Sequence, residues 1–227
     1  RELLKRYYAF LFANRMEPWF NYLLQPRIHV MGGGVRLDWD ERACDLYLNQ
    51  LKAKRVVLET VPPELRREAG AEPFSEPFNR LVKAYVSQVA RYFRERGWLD
   101  RLVFNSPIDE PNTAEQYEQT RRWATLVHEA APGIPFLATE SPVPDNPSWG
   151  SLTGYVNHFA VHGNALNRLD VREAIRREQE KGGEVTWYIS CDQVYPQPNY
   201  FIDAPAMDPV MVPWITWRHK LDGILYW

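Results

Sequence analysis

The stretch LVFNSPIDEPNTAEQYEQTRRWATLVHEA, residues 102–130, decides how the rest of the chain is read. It opens on a short apolar run, is interrupted by Pro107 and Pro111, and continues with apolar residues at helical spacing. Proline has no backbone donor and turns the chain out of a ladder, so the strand over 102–110 is expected to end at Pro111. Thr113 and Gln116 stand at capping-box spacing, which starts a helix that runs to about Ala130. The unit is strand, loop, helix.

The same unit recurs toward the C-terminus. PFLATE (135–140) and YVNHFAVHG (155–163) read as strands, the second followed by a helix from about Asn167 to Lys181. EVTWYISC (184–191) is followed by a helix from about Pro205 to Leu221, and GILYW (223–227) is the last strand. Toward the N-terminus, VVLET (56–60) precedes a Pro-rich loop and the clearest helix of the chain. Phe78, Leu81, Val82, Tyr85, Val89, Tyr92 and Phe93 form its apolar stripe, and Gly97 stands where a helix end favours a residue without Cβ. Before it lie a helix over about 40–54, a hairpin built on RIHV-MGGG-VRL, and MEPWF (16–20), which reads as a buried strand. Leu4, Tyr7, Tyr8, Leu11 and Phe12 mark an opening helix that ends near Asn14.

Seven strands separated by helices argue for parallel, right-handed βαβ units. A chain that starts on a helix and stops on a strand fits an eight-stranded barrel without its first strand and last helix, and 227 residues fall just short of the roughly 250 of a whole one. An open doubly wound sheet is the competing arrangement, but no Gly-x-Gly-x-x-Gly follows a strand. The expected fold is therefore α/β, a single TIM-type (β/α)8 barrel spanning 1–227 and cut from a longer protein.

Composition narrows the function. Hydrophobic residues at 45% and charged residues at 25% belong to a globular chain, whereas nine Trp and 18 Pro are in excess. A net charge of −2 supplies no basic surface for a phosphate backbone, so nucleic acid is not an expected partner. No apolar run reaches the length of a membrane span, and RELLKRYYAFLF lacks the pattern of a signal peptide. The chain opens on Arg1, so an upstream signal would lie outside it; localisation and oligomeric state are not legible. Cys44 and Cys191 are too few for a disulfide framework.

Chemistry in a barrel sits at the C-terminal strand ends. These carry Glu59, then Asp109 and Glu110, Thr139 and Glu140, His162, Cys191 and Asp192, and finally Tyr226 and Trp227. A lone carboxylate such as Glu59 or Glu140 has a simpler reading as a helix cap or solvated loop residue. His158 and His162 share a face, but no third ligand accompanies them, so no metal and no cofactor is expected. The adjacent pair Asp109-Glu110 differs: two carboxylates held together repel, so one tends to keep its proton while the other ionises, which separates acid from base. Its simpler reading is a capped helix start. Trp149, Trp187, Trp214, Trp217 and Trp227 gather toward the C-terminus, and indole faces stack on the C–H faces of sugars. At helical spacing, Trp214 and Trp217 read first as packing their helix on the barrel, while Tyr188 and Trp227 suit a pocket mouth. The candidate substrate-binding set is Glu140, His162, Tyr188, Asn199, Trp217 and Trp227, around the candidate catalytic pair Asp109 and Glu110.

The segment WYISC-DQVYPQPNYFIDAP-AMDPVMVPWITWRHKLDGILYW (187–227) resembles the C-terminal part of glycoside-hydrolase-like catalytic domains related to glycoside hydrolase family 123, which contains N-acetyl-β-galactosaminidases. IDEP (108–111), LLKRYYAFL with NRMEP, and RLDWDERACDLYL fit the same pattern. The resemblance implies a (β/α) barrel and substrate-assisted catalysis, in which the sugar's own 2-acetamido oxygen attacks C1. It implies that Glu110 is the general acid and then base, and that Asp109 orients the acetamido N–H and stabilises the oxazolinium-like intermediate. The residues agree in one respect: Glu184 starts its strand, whose end is Ser190-Cys191-Asp192, so the usual nucleophile seat holds no Glu and leaves Asp192 as a fallback. A glycosidase acting on a β-linked 2-acetamido sugar is the expected function. The alternatives are a retaining hydrolase of plain hexosides, with Asp192, Glu140 or Glu59 as nucleophile, or a carbohydrate-binding, catalytically silent barrel.

Overall fold

A computed structural model describes residues 2–18, 24–193 and 195–226. The chain divides into two compact units, one formed by residues 1–107 and 122–135, the other by 108–121 and 136–227. Helix α5 (Ala114–Ala130) begins in the second unit and ends in the first.

In the first unit, α1 (Glu2–Ala13) precedes the hairpin of β1 (Arg27–Met31) and β2 (Gly34–Asp38), whose antiparallel register runs from Arg27 opposite Asp38 to Met31 opposite Gly34. Gly32 and Gly33 make its turn at φ values of +56° and +81°, which side chains with a Cβ rarely adopt. Strands β3 (Val56–Glu59) and β4 (Leu102–Asn105) pair in parallel, connected through α3 (Pro63–Glu68) and α4 (Glu76–Glu95). The expected stripe of α4 is buried, Ser75 caps its start through Phe78 N–H, and Gly97 takes a φ of +72° just past its end.

Three expectations fail here for identifiable reasons. Met16, Glu17 and Pro18 form no strand: Glu17 Oε2 accepts from the backbone N–H of Lys54 at 2.9 Å and the Pro18 carbonyl from Tyr47 Oη at 3.2 Å, so side chains fasten this segment. Trp19 and Phe20, the rest of that expected strand, lie outside the described residues. The helix expected over 40–54 is a single turn, α2 (Glu41–Cys44), that continues as a π-helix through Asp45–Gln50. Asp45 accepts from both Asn49 and Gln50, four and five residues on, which suits the wider turn. The strand expected to reach Glu110 stops at Asn105, where the Thr60 hydroxyl takes the Asn105 carbonyl at 2.8 Å. Asp109 and Glu110 therefore stand in a loop beyond the strand.

The second unit carries β5 (Phe136–Ala138), β6 (His158–His162), β7 (Glu184–Ile189) and β8 (Gly223–Tyr226), paired in parallel in that order, with α6 (Leu169–Glu180) between β6 and β7 and α7 (Asp208–Arg218) between β7 and β8. The fold is α/β with six parallel strands among the described residues, against the seven of the expected barrel. Side chains alternate faces along a strand. On β7, Trp187 is wholly buried and donates its indole N–H to Thr216 Oγ1 of α7 at 2.8 Å, so Tyr188 points to the opposite face. Replacing Thr216 with valine keeps the shape but orphans that buried donor, with an expected cost of about 1–3 kcal/mol. Urea unfolding would show it as a lower midpoint at unchanged slope.

Trp214 and Trp217 do not pack α7 down. They are 60% and 75% exposed and meet each other edge to face at 6.2 Å, while Val212 is the residue that α7 buries. Among the described residues no helix is long and apolar enough to cross a membrane. Cys44 is buried, Cys191 exposed, and both are free.

Candidate active site

Two prolines bracket the loop that follows β4, and Glu110 turns it with a left-handed φ of +46°. A non-glycine residue in that region costs of order 1–2 kcal/mol, so the conformation persists only where other contacts hold it. Those contacts are visible. Backbone N–H of Glu110 donates to Thr139 Oγ1 at 3.0 Å, and the Thr139 hydroxyl donates to Asp109 Oδ1 at 2.6 Å. Thr139 follows directly on β5, so one side chain at a strand end fixes both members of the carboxylate pair. The helix after the loop starts as the capping spacing predicts, with Gln116 N–H donating to Thr113 Oγ1 at 3.2 Å, but the Gln116 amide reaches back to Asn112 N–H, one residue earlier than a standard box.

Glu110 is held from its far end too. The Tyr188 hydroxyl donates to Glu110 Oε1. Tyr188 is 7% exposed, and burial, reinforced by the Glu110 carboxylate, raises its pKa and keeps the phenol protonated as a donor. The two carboxyls thus face different partners: Asp109 answers to Thr139, Glu110 to Tyr188. Each keeps one oxygen outside these bonds.

Next to Thr139, Glu140 accepts the backbone N–H of Ser141 at 2.7 Å. Its pKa is raised to about 7, first by burial and further by the charges of Asp145 and Glu110, against the lowering effect of Ser141 and Tyr117. A carboxyl that titrates at neutrality in a cluster of carboxylates marks a functional-site candidate.

The family description "Glycoside hydrolase 123, catalytic domain" matches residues 46–227, well over half of the chain. The chain belongs to the glycoside hydrolase 123 family. Among solved structures, the fold of this family 123 chain is similar to that of a family 123 glycoside hydrolase from Clostridium perfringens, studied for glycolipid glycan hydrolysis. Sequence identity is 13% and the TM-score 0.65, over 89% of this chain and 37% of that one. A glucosidase from Croceicoccus marinus is matched at 14% identity and a TM-score of 0.38, over 63% of this chain and 37% of that one. The family 123 chain thus spans just over a third of the length of either structure. No curated protein matches it.

The remaining candidates of the family 123 chain are distributed unevenly. His162, at the end of β6, is paired in register with Tyr188 and meets its ring edge to face at 5.0 Å. Its Nε2 lies 2.7 Å from Ser190 Oγ and 3.1 Å from Asp192 Oδ1, while Nδ1 accepts from Asn164 N–H. The Ser190 hydroxyl, with a smaller contribution from His162, holds Asp192 below the usual carboxylate range. Asn199 is buried but fully committed to its own loop: its side-chain amide donates to the Ser190 carbonyl, its Oδ1 accepts from Tyr200 N–H, and its backbone N–H donates to Asp208. It pins the loop after β7. Trp217 stands exposed on the last turn of α7, partnered by Trp214, and Trp227 lies outside the described residues. Among the described residues no group of three or more His, Cys, Asp or Glu is arranged to hold a metal ion.

Thr139 and Tyr117 belong with the carboxylates although neither was in the candidate set. Thr139 carried a weak signal, standing beside Glu140 at a strand end. Tyr117 carried none, because its reach to Glu140 depends on how α5 is set against the loop after β5.

Proposed function

We propose that this domain hydrolyses a β-linked 2-acetamido sugar with retention of configuration, by substrate-assisted catalysis. The observation that carries the reading is the division of labour within Asp109-Glu110. The Thr139 hydroxyl has a single proton, which it donates to Asp109 while its lone pair receives Glu110 N–H. Asp109 is thereby treated as an acceptor, the state in which its free oxygen can take the acetamido N–H of a bound sugar. That contact turns the acetamido oxygen toward C1 and places negative charge beside the cation that develops there.

Glu110 supplies the proton. With Oε1 engaged by Tyr188, the proton sits on Oε2, which delivers it to the glycosidic oxygen as the C1–O bond breaks and the acetamido oxygen bonds to C1. The resulting carboxylate then takes a proton from water, the water oxygen bonds to C1, and the oxazolinium ring reopens to the acetamido group. Glu110 ends protonated. No enzyme nucleophile is required, which agrees with an adjacent carboxylate pair and no Glu at the end of β7.

A panel of aryl β-glycosides with and without the 2-acetamido group tests this directly. Selective turnover of the 2-acetamido members is expected. Equal turnover of plain hexosides would overturn substrate assistance and bring forward Asp192, whose ionised state suits a nucleophile.

A further inference from the structure

Beyond the carboxylate pair, the ends of β6 and β7 carry a second polar cluster. Residues paired in register share a face of the sheet, so His162 and Tyr188 project from the same side. Tyr188 reaches Glu110 through its hydroxyl, and its ring meets that of His162 at 5.0 Å. His162 in turn places Nε2 2.7 Å from Ser190 Oγ and 3.1 Å from Asp192 Oδ1, and the Ser190 hydroxyl donates to the same Asp192 oxygen. A continuous line of contacts leads from Glu110 to Asp192 across two adjacent strand ends.

The orientation of the ring decides what this cluster can do. Nδ1 of His162 accepts the backbone N–H of Asn164, so the neutral ring carries its proton on Nε2. Nε2 is then a donor and not a base for Ser190. Asp192 sits on that same nitrogen, whereas a nucleophile relay needs its carboxylate on the opposite one. The arrangement produces a fixed carboxylate instead. Two donors converge on Oδ1, and the backbone is tied down on both sides: the Asn164 amide donates to the Asp192 carbonyl at 3.3 Å, and the Asn199 amide to the Ser190 carbonyl at 3.0 Å. Yet the Asp192 side chain is 72% exposed. An ion pair that open to water adds little to stability, whereas an acceptor oriented in advance loses little freedom when a ligand arrives. The carboxyl is ionised, held below the usual carboxylate range chiefly by the Ser190 hydroxyl.

We propose that Asp192 is a hydroxyl-binding residue of the sugar site: with Oδ1 held by Ser190 and His162, Oδ2 accepts from a hydroxyl of the same sugar whose glycosidic oxygen meets Glu110. Oδ2 takes no part in the bonds that hold the carboxylate. A carboxylate is an acceptor only, so it pairs with a free hydroxyl and repels a sulfate or a carboxylate at that place. The sugar is therefore unsubstituted there. The inference rests on the glycosidase reading for the identity of the sugar, but the contact is measurable without turnover.

Calorimetry reads the contact directly, using hydrolysis-resistant thioglycosides of 2-acetamido sugars, gluco and galacto, and deoxy analogues that each lack one further hydroxyl. The unmodified domain is expected to bind a parent sugar about 10–100-fold more tightly than the analogue without the hydroxyl that Asp192 takes. In Asp192→Ala that preference disappears, because the parent weakens to the level of the analogue while the analogue binds as before. Ser190→Ala, which loosens the carboxylate without removing it, is expected to lose part of the same preference. An Asp192→Ala domain that weakens equally toward the parent and every analogue would make Asp192 a loop staple, and one that keeps the preference would assign the hydroxyl to another residue. Either result overturns the proposal. So does a collapse of kcat with sugar affinity unchanged, the mark of a nucleophile. An unmodified domain that discriminates among the sugars but turns over none of their aryl glycosides removes the glycosidase reading and leaves the hydroxyl contact standing. One that binds none of them overturns both.

Discussion

Glu110→Gln is expected to slow turnover of a 2-acetamido-β-glycoside by about 10²–10⁴-fold while leaving KM nearly unchanged. Glutamine preserves the volume, and its carbonyl still accepts from the Tyr188 hydroxyl, so the loop is held as before. What disappears is the transferable proton, needed when the leaving oxygen departs and again, in reverse, when water attacks. Because both halves of the cycle depend on one group, an activated leaving group rescues only the first. Steady-state kinetics on an aryl glycoside with a good and a poor leaving group checks this. Turnover equal to that of the unmodified domain would mean that another residue is the acid.

Asp109→Asn is expected to cost about 10²–10³-fold in kcat on the same substrate, because the oxazolinium-like cation loses its adjacent negative charge. Thr139 can still donate to the amide oxygen, so the fold of the loop gives no reason for the loss. The distinguishing measurement is affinity for a cationic mimic of the cyclised intermediate, which should fall with kcat, while affinity for the intact substrate falls little. A parallel drop in both would point to disordered binding instead of lost stabilisation of the intermediate.

Local pattern made the parallel strand and helix succession legible, since the apolar stripe of α4 and its break at Gly97 are properties of adjacent residues. The errors fall where a distant group intervenes. Strand β4 ends early at Asn105, whose carbonyl accepts both the N–H and the hydroxyl of Thr60, 45 positions away, and Met16–Pro18 is held by Tyr47 and by Lys54 N–H. In the site, Asp109 and Glu110 were readable as an adjacent pair, yet nothing near them announces Tyr188, 78 positions on. Tyr188 could be named as an aromatic at a strand end; that its hydroxyl rather than its ring serves the site depends on the register of β7 against its neighbours. The loop hydrogen bonds of Asn199 were illegible for a related reason, since a polar residue in a loop carries no mark of the carbonyl it will reach.

The left-handed backbone at Glu110 bears on how such a domain can be engineered. Glycine adopts that conformation freely, and the hydroxyl of buried Tyr188 helps to hold the glutamate. Selection for heat resistance alone, by consensus or by screening, therefore favours glycine at position 110, the residue proposed above as the acid. Positions 110 and 188 are ones that a library built for robustness should hold constant, with stabilising changes drawn from elsewhere in the chain.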